Sequence, residues 1–421
     1  MGKDKKFTRR NFLKRTSILG TGVLINTGKY FKVRETNLAS KDIEMRYRIL
    51  GKSGLKVSEI GLGRLEMQGE NVLDYALDRG INYIDTPHEY ISGEEDRMKK
   101  LKPRRNKVVI ASLMVTSHTS TKQETMKFIE NILKRMQTDY VDIVIIYNVG
   151  TYQPKYGVTK HIERLKNENV IEAVNQAKKD GKVRALGVSS HGGDFMDYMN
   201  YAIDSGHFDM IMLKYNFMSF PEEKELIEKA KQKNVGSVAI KVVGGAYDQK
   251  IKGYEESRTP EFRRAAIKWV LSNPDITNLV IRMPTFEEVD NCMKALDEKF
   301  GYYDRILLEK YASSVKPYYC RWCSKCTQAC PYGVSIPNIQ RYLVYFTNFE
   351  YKKEAVDRYA DLLPEQKANY CFGCEAPCEK KCPNNIPIKE MLTEAHRILS
   401  LKSGKHKIKI ELQTNTNFPS S

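Results

Sequence analysis

Cysteine is absent from the first 291 residues of this 421-residue chain. That excludes a disulfide framework for most of the protein. Tryptophan occurs only twice, and no apolar run reaches the roughly 20 residues that a bilayer-spanning helix needs, so no transmembrane segment is expected. Nucleic-acid-binding motifs are also missing. The formal net charge of +17 does not replace them, because residues 1–40 hold ten Lys/Arg against two Asp/Glu. That leaves +9 over the other 381 residues, the charge of a solvated surface. Eight thiolates would lower it further. The length suggests two or three domains, and 41% hydrophobic with 29% charged residues is an ordinary soluble composition.

What is present gathers at the far end. After Cys292, eight cysteines crowd between 320 and 382. Cys320, Cys323, Cys326 and Cys330 stand at C-x2-C-x2-C-x3-C-P spacing; Cys371, Cys374, Cys378 and Cys382 at C-x2-C-x3-C-x3-C-P. Neighbours this close pair as disulfides only with strain. As metal ligands they are well placed: three near cysteines reach three irons of one cube, and the cysteine before proline ligates the other cube. Cluster one would take Cys320, Cys323, Cys326 and Cys382; cluster two would take Cys371, Cys374, Cys378 and Cys330. Two [4Fe–4S] clusters are therefore the expected cofactors, with zinc as the alternative for paired C-x-x-C motifs. Cys292 is left as a buried thiol. The segments SIPNIQRYLVYFTNF, KEAVDRYADLL and IPIKEMLTEAHRIL have helical periodicity. With the cysteines they resemble the helical two-cluster ferredoxin module. It would span 319–400, after a linker helix at 301–318 and before a flexible tail at 401–421.

At the other end, Arg9-Arg10 are followed by Asn-Phe-Leu-Lys and a short apolar stretch, Ile18–Ile25. Residues 1–40 resemble a twin-arginine export signal, which implies the twin-arginine translocase as partner and a periplasmic destination. That route carries folded proteins, as an iron–sulfur protein loaded in the cytoplasm requires. A chance basic tail on a cytoplasmic protein is the alternative.

Between the two, eight apolar strand-like runs alternate with eight helical patterns, the last near 161–180, 193–205, 221–234, 259–273 and 285–297. This predicts an α/β fold, a (β/α)8 TIM-type barrel over 41–300, followed by the small, mostly α-helical ferredoxin domain. A short hairpin, turning at Ser53-Gly54, would cap its N-terminal face. The stretches YRILGKSGLKVSEIGLG, GINYIDTPHEY, DYVDIVIIY and GKVRALGVSSH, with Tyr215-Asn216, resemble the aldo-keto reductase family in order and spacing.

The resemblance implies hydride transfer between a nicotinamide and a carbonyl by a Tyr, Asp, Lys and His at the C-terminal mouth of the barrel. Asp85 and Tyr90 occupy two of these positions; Leu113 stands at the Lys position and Tyr147 at the His position. Without an ammonium beside it, Tyr90 would sit near its ordinary pKa of about 10. His88, Tyr147, Lys214 and Lys241 are candidates to complete the site. At the cofactor positions the resemblance points to Ser189, Ser190 and Asn291, with Met212 where Gln is usual. Glu287 and Glu288 would repel a 2′-phosphate, which argues against NADP and leaves NAD(H) open. The glycines of KVVGGA, Lys241–Ala246, suit close approach to a ligand phosphate. The expected function is an iron–sulfur oxidoreductase that couples a small carbonyl or alcohol substrate to a one-electron carrier protein or a quinone-linked partner. The alternative is a catalytically silent barrel that serves another enzyme.

Overall fold

The computed structural model describes residues 43–63, 71–86, 94–150, 161–192, 194–244, 259–347 and 351–400. The export signal, His88, Tyr90 and the tail at 401–421 lie outside them.

A hairpin comes first, β1 (Tyr47–Leu50) and β2 (Leu55–Ser58). Eight strands follow: β3 (Ile60–Leu62), β4 (Tyr83–Thr86), β5 (Val109–Met114), β6 (Val141–Val149), β7 (Val183–Ser190), β8 (Met210–Lys214), β9 (Gly236–Ile240) and β10 (Asn278–Ile281). They close into a parallel barrel in chain order, with β10 pairing back to β3. Most are apolar on both faces, because one side meets the barrel interior and the other the helices.

The described helices of the outer ring are α1 (Val72–Asp78), α2 (Glu94–Leu101), α3 (Lys122–Arg135), α4 (His161–Leu165), α5 (Glu168–Lys179), α6 (Phe195–Ser205), α7 (Pro221–Gln232), α8 (Pro260–Leu271) and α9 (Phe286–Asp297). Their starts follow local chemistry. Thr121 and Glu124 form a capping box on α3, and proline opens α7 and α8, where its missing N–H costs nothing. The helix expected over 161–180 is two helices. Asn167 breaks it: its Oδ1 accepts from Asn169 N at 3.0 Å, capping α5. Its Nδ2 donates to the carbonyls of Ser117, His118 and Ser120.

The barrel interior is plugged from below. Leu50, Leu55 and Val57 of the hairpin join Tyr83, Ala111, Ile143, Ile145, Met210 and Val238 in one core. A second, larger core fills the space between strands and helices. The mouth at the C-terminal strand ends is thus the end left open to chemistry.

Helix α10 (Tyr302–Val315) leads out of the barrel and stays docked to it, with Tyr311 edge-on to Phe262 at 5.1 Å and to Phe217 at 5.9 Å. Helices α11 (Ile336–Thr347), α12 (Lys352–Ala360) and α13 (Ile388–Leu399) then build the C-terminal module around its own core, which includes Cys326, Cys371 and Cys378. Cys320 packs against both this core and the barrel's. Among the described residues, no helix is long and apolar enough to cross a membrane.

Candidate active site and cluster sites

The eight cysteines come together as two crossed quartets. Cys320, Cys323, Cys326 and Cys382 line one small cavity, beside Ile336, Gln340 and Ile388. Cys330, Cys371, Cys374 and Cys378 line another. Each motif ends in a 3-10 turn, Thr327–Ala329 or Glu379–Lys381, that delivers its last cysteine away from the first three. The backbone turns through the left-handed region at Trp322, Ser324 and Ala376, which wraps it around the sulfurs. Backbone N–H groups of Trp322 and Ala376 point at Cys320 Sγ and Cys374 Sγ, both at 3.4 Å.

Burial pushes the Cys320 thiol up to about 12, and Cys323 and Cys382 add to it. Burial, then Cys330, Cys378 and Cys374, push Cys371 up to about 12. Four crowded thiolates thus need a strongly positive centre between them. Among the described residues, no three Cys, His, Asp or Glu side chains are grouped to hold a single metal ion. The sulfurs are spread around cavity walls instead, which suits a cube of irons and sulfides better than one tetrahedral zinc. The donor set and its placement fit two such cubes.

The barrel mouth is built from strand ends. A bulge between Ile146 and Val149 in β6 re-aims the side chain of Tyr147. The two serines of β7 hold that bulge: Ser189 Oγ accepts from Asn148 N at 3.1 Å, and Ser190 Oγ donates to Val149 O at 2.6 Å. Buried Arg164 ties β6 to the end of β5, donating to Tyr147 O at 3.0 Å and Thr116 O at 2.7 Å.

His191, just past β7, meets the Tyr147 ring edge-on at 6.1 Å. Sequence reasoning missed His191 as a site residue; its one signal was its place at the end of the SSH strand terminus. Tyr147, His191 and Lys241 lie deep in the protein, yet each keeps part of its surface uncovered.

The module packs on this mouth, where Asn338 Nδ2 of α11 donates to Gly150 O, just past β6, at 3.5 Å. Arg341 of α11 and Arg358 of α12 both bear on Tyr147 and His191. Burial first, then Lys241, Arg341 and Arg358, hold the His191 imidazole well below its usual range, so it stays neutral. Burial pushes Tyr147 up, so it stays protonated. Lys241 sits under the Trp322 indole, its Nζ 4.2 Å from the ring centroid. Trp322 is two residues from Cys320, so cluster one stands beside the mouth. Lys214 ends β8 in a buried ion pair with Glu223 at 2.7 Å. Asp85 is the last residue but one of β4, level with Ala111 of β5, and Leu113 is buried in the barrel interior.

The remaining cofactor positions are occupied by protein contacts. Met212 is buried within the barrel. Asn291 accepts from Arg264 Nη1 at 2.6 Å and donates to Pro260 O at 3.1 Å. Glu288 pairs with Arg263 at 3.4 Å, and burial raises its carboxyl to about 7. Gly244 is packed on Met218 and Phe217, and its carbonyl accepts from Tyr311.

Residues 66–306 match the aldo/keto reductase family, and residues 319–386 match the 4Fe-4S dicluster domain. The chain is 28% identical over 162 residues to the uncharacterized oxidoreductase YqkF of Bacillus subtilis, covering 35% of this chain and about half (49%) of that protein. It is 22% identical over 310 residues to the uncharacterized oxidoreductase YrpG of the same organism, covering 60% and 91%. The solved aldo-keto reductase of Bacillus halodurans, in its holo form, shares the barrel with a TM-score of 0.50 at 22% identity, over 63% of this chain and 96% of that one. The chain belongs to the aldo/keto reductase family and is an oxidoreductase carrying a C-terminal 4Fe-4S dicluster domain.

Proposed function

We propose that this protein interconverts an alcohol and a carbonyl at the barrel mouth and passes the electrons through the dicluster module. One observation carries the reading: Cys320 packs against both the module's core and the barrel's, and Trp322, two residues on, covers Lys241 at the barrel mouth. Oxidation of an alcohol to a carbonyl releases two electrons and two protons: the carbon-bound hydrogen would leave as hydride to a two-electron carrier such as a bound nicotinamide, which would release the second proton and pass its electrons singly to the two clusters.

The chain's own residues handle the rest. Neutral His191 accepts the hydroxyl proton; its Nδ1 is buried and makes no hydrogen bond among the described residues. Tyr147, kept protonated, orients the substrate oxygen as a hydrogen-bond donor. The roof of α11 and α12 keeps bulk water out. Asp85, near the end of β4, and Tyr90, outside the described residues, remain the acid–base pair that the family resemblance suggests. Pool nicotinamide is not expected outside the cytoplasm, so a nucleotide serving an exported enzyme would be one tightly held. The carrier beyond cluster two would be a one-electron protein or a quinone-linked partner.

Oxygen-free protein, isolated with its native cofactors, tests this. Candidate alcohols and sugars should bleach the cluster absorbance and turn over with a one-electron dye without added nucleotide. If turnover requires added NAD(H) and the clusters stay oxidised throughout, the coupling is wrong. We further propose export by the twin-arginine route. Arg9→Lys with Arg10→Lys should then trap the protein in the cytoplasm; unchanged fractionation would remove the export reading.

A further inference from the structure

Gln340 lies one turn into α11 and is only 1% exposed. Its side chain belongs to the lining of the cavity framed by Cys320, Cys323, Cys326 and Cys382. Both ends of its amide, Nε2 and Oε1, are buried without a hydrogen-bond partner among the described residues. An amide in that state is costly, because each end has given up its bonds to water. An apolar side chain would sit there without that cost. Ile336, one turn earlier on the same helix, and Ile386 and Ile388 do so in the same lining.

The feature belongs to one quartet only. Arg321 also lines the cavity of cluster one, and its Nε is likewise buried and unpartnered. Around Cys330, Cys371, Cys374 and Cys378 the lining is mostly apolar, with Tyr332 and Lys389 as its polar side chains besides the cysteines. None of that lining has a buried side-chain nitrogen or oxygen without a partner. The orphaned donors thus gather at the cluster that adjoins the barrel. Iron-bound sulfur accepts hydrogen bonds and has no proton to give, so it answers the Nε2 end of the amide.

We propose that Gln340 donates from Nε2 to a sulfur of cluster one and makes that cluster easier to reduce. An added electron makes the sulfurs more negative. A fixed N–H dipole therefore stabilises the reduced form more than the oxidised one. Hydrogen bonds to sulfur are among the features that set the potential of such clusters. The proposal rests on the two clusters and not on the chemistry at the barrel mouth.

A redox titration of the full-length, oxygen-free protein without substrate tests it, the spin-resonance signals reporting the midpoint of each cluster. In Gln340→Leu one midpoint should fall while the other stays. The reduction equilibrium of the affected cluster should drop about tenfold, which is 59 mV for one electron. Gln340→Glu keeps the shape of the side chain and changes only what it offers. Protonated, its carboxyl still donates; ionised, it opposes anionic sulfur. One midpoint of that variant should therefore lie below the native value at high pH and recover towards it as pH falls. If Gln340→Leu binds less than full iron, Gln340→Glu carries the test alone. With full iron, midpoints unmoved in Gln340→Leu, or both moved by the same amount, overturn the proposal. Midpoints of Gln340→Glu that follow the native ones at every pH overturn it as well.

Discussion

Single side chains at the mouth carry effects of opposite kind. Glu223 neutralises Lys214 where both side chains are under 10% exposed. Glu223→Gln leaves that ammonium buried without its counter-charge, and about 3–5 kcal/mol of stability should be lost. A drop of several degrees in the unfolding midpoint would register it; an unchanged midpoint would mean water reaches the site. His191 gives a pH signature. Its folded pKa lies below the free value of about 6.5, so it remains an acceptor at pH values where a free imidazole is half charged. Dye-coupled activity should therefore hold level from pH 8 down to 6, and His191→Gln should abolish it. The same shift means that below about pH 6.5 the unfolded chain binds a proton that the folded chain refuses, so this residue costs stability as pH falls.

At the level of strands and helices, much was legible beforehand. Apolar runs bounded by turns marked the eight barrel strands, because parallel strands buried on both faces leave an unbroken signal. The 161–180 break was not legible: Asn167 stops the helix through three carbonyls that only tertiary folding brings near. The β6 bulge and its two serines were hidden for the same reason. Helix α11 did carry a hint. Nine of its twelve residues are buried, and a helix without a polar face is covered on all sides. Its periodicity could not say that the cover was the barrel mouth, so Arg341 and Arg358 went unread. The plug hairpin depends on Gly51, which has φ of +50° and room for no Cβ: one would lie 2.5 Å from Gly236 N and 2.6 Å from Asn234 O. Gly51→Ala should cost more than the roughly 1 kcal/mol of the backbone conformation alone, because backbone must move. Thermal unfolding of the purified variant checks it; a loss within 1 kcal/mol would show that the plug is loose.

For the molecule as a whole, the crossing of the quartets matters most. Cys382 belongs to the second motif in sequence but lines the cavity of the first. Cys382→Ala should therefore damage cluster one and spare cluster two, whereas Cys374→Ala should do the opposite. Iron content and the low-temperature spin-resonance spectrum of the reduced protein distinguish them. Cys382→Ala should also disconnect the substrate from the dye, since its cluster adjoins the mouth. Equal loss of both signals in each variant would show that the pair assembles as one unit.

Cys320, near the start of the module, and Cys382, near its end, meet at one inorganic centre, while Cys330 and Cys371 meet at the other. Two rivets thus clasp the same loop of chain, and that loop carries α11 and α12, the lid of the reaction chamber. Without the irons, α11 and α12 would be held over the mouth by the module's apolar core alone. The cover over the mouth would therefore depend on iron delivery, and a copy without iron would differ from a finished one in fold as well as in its electrons.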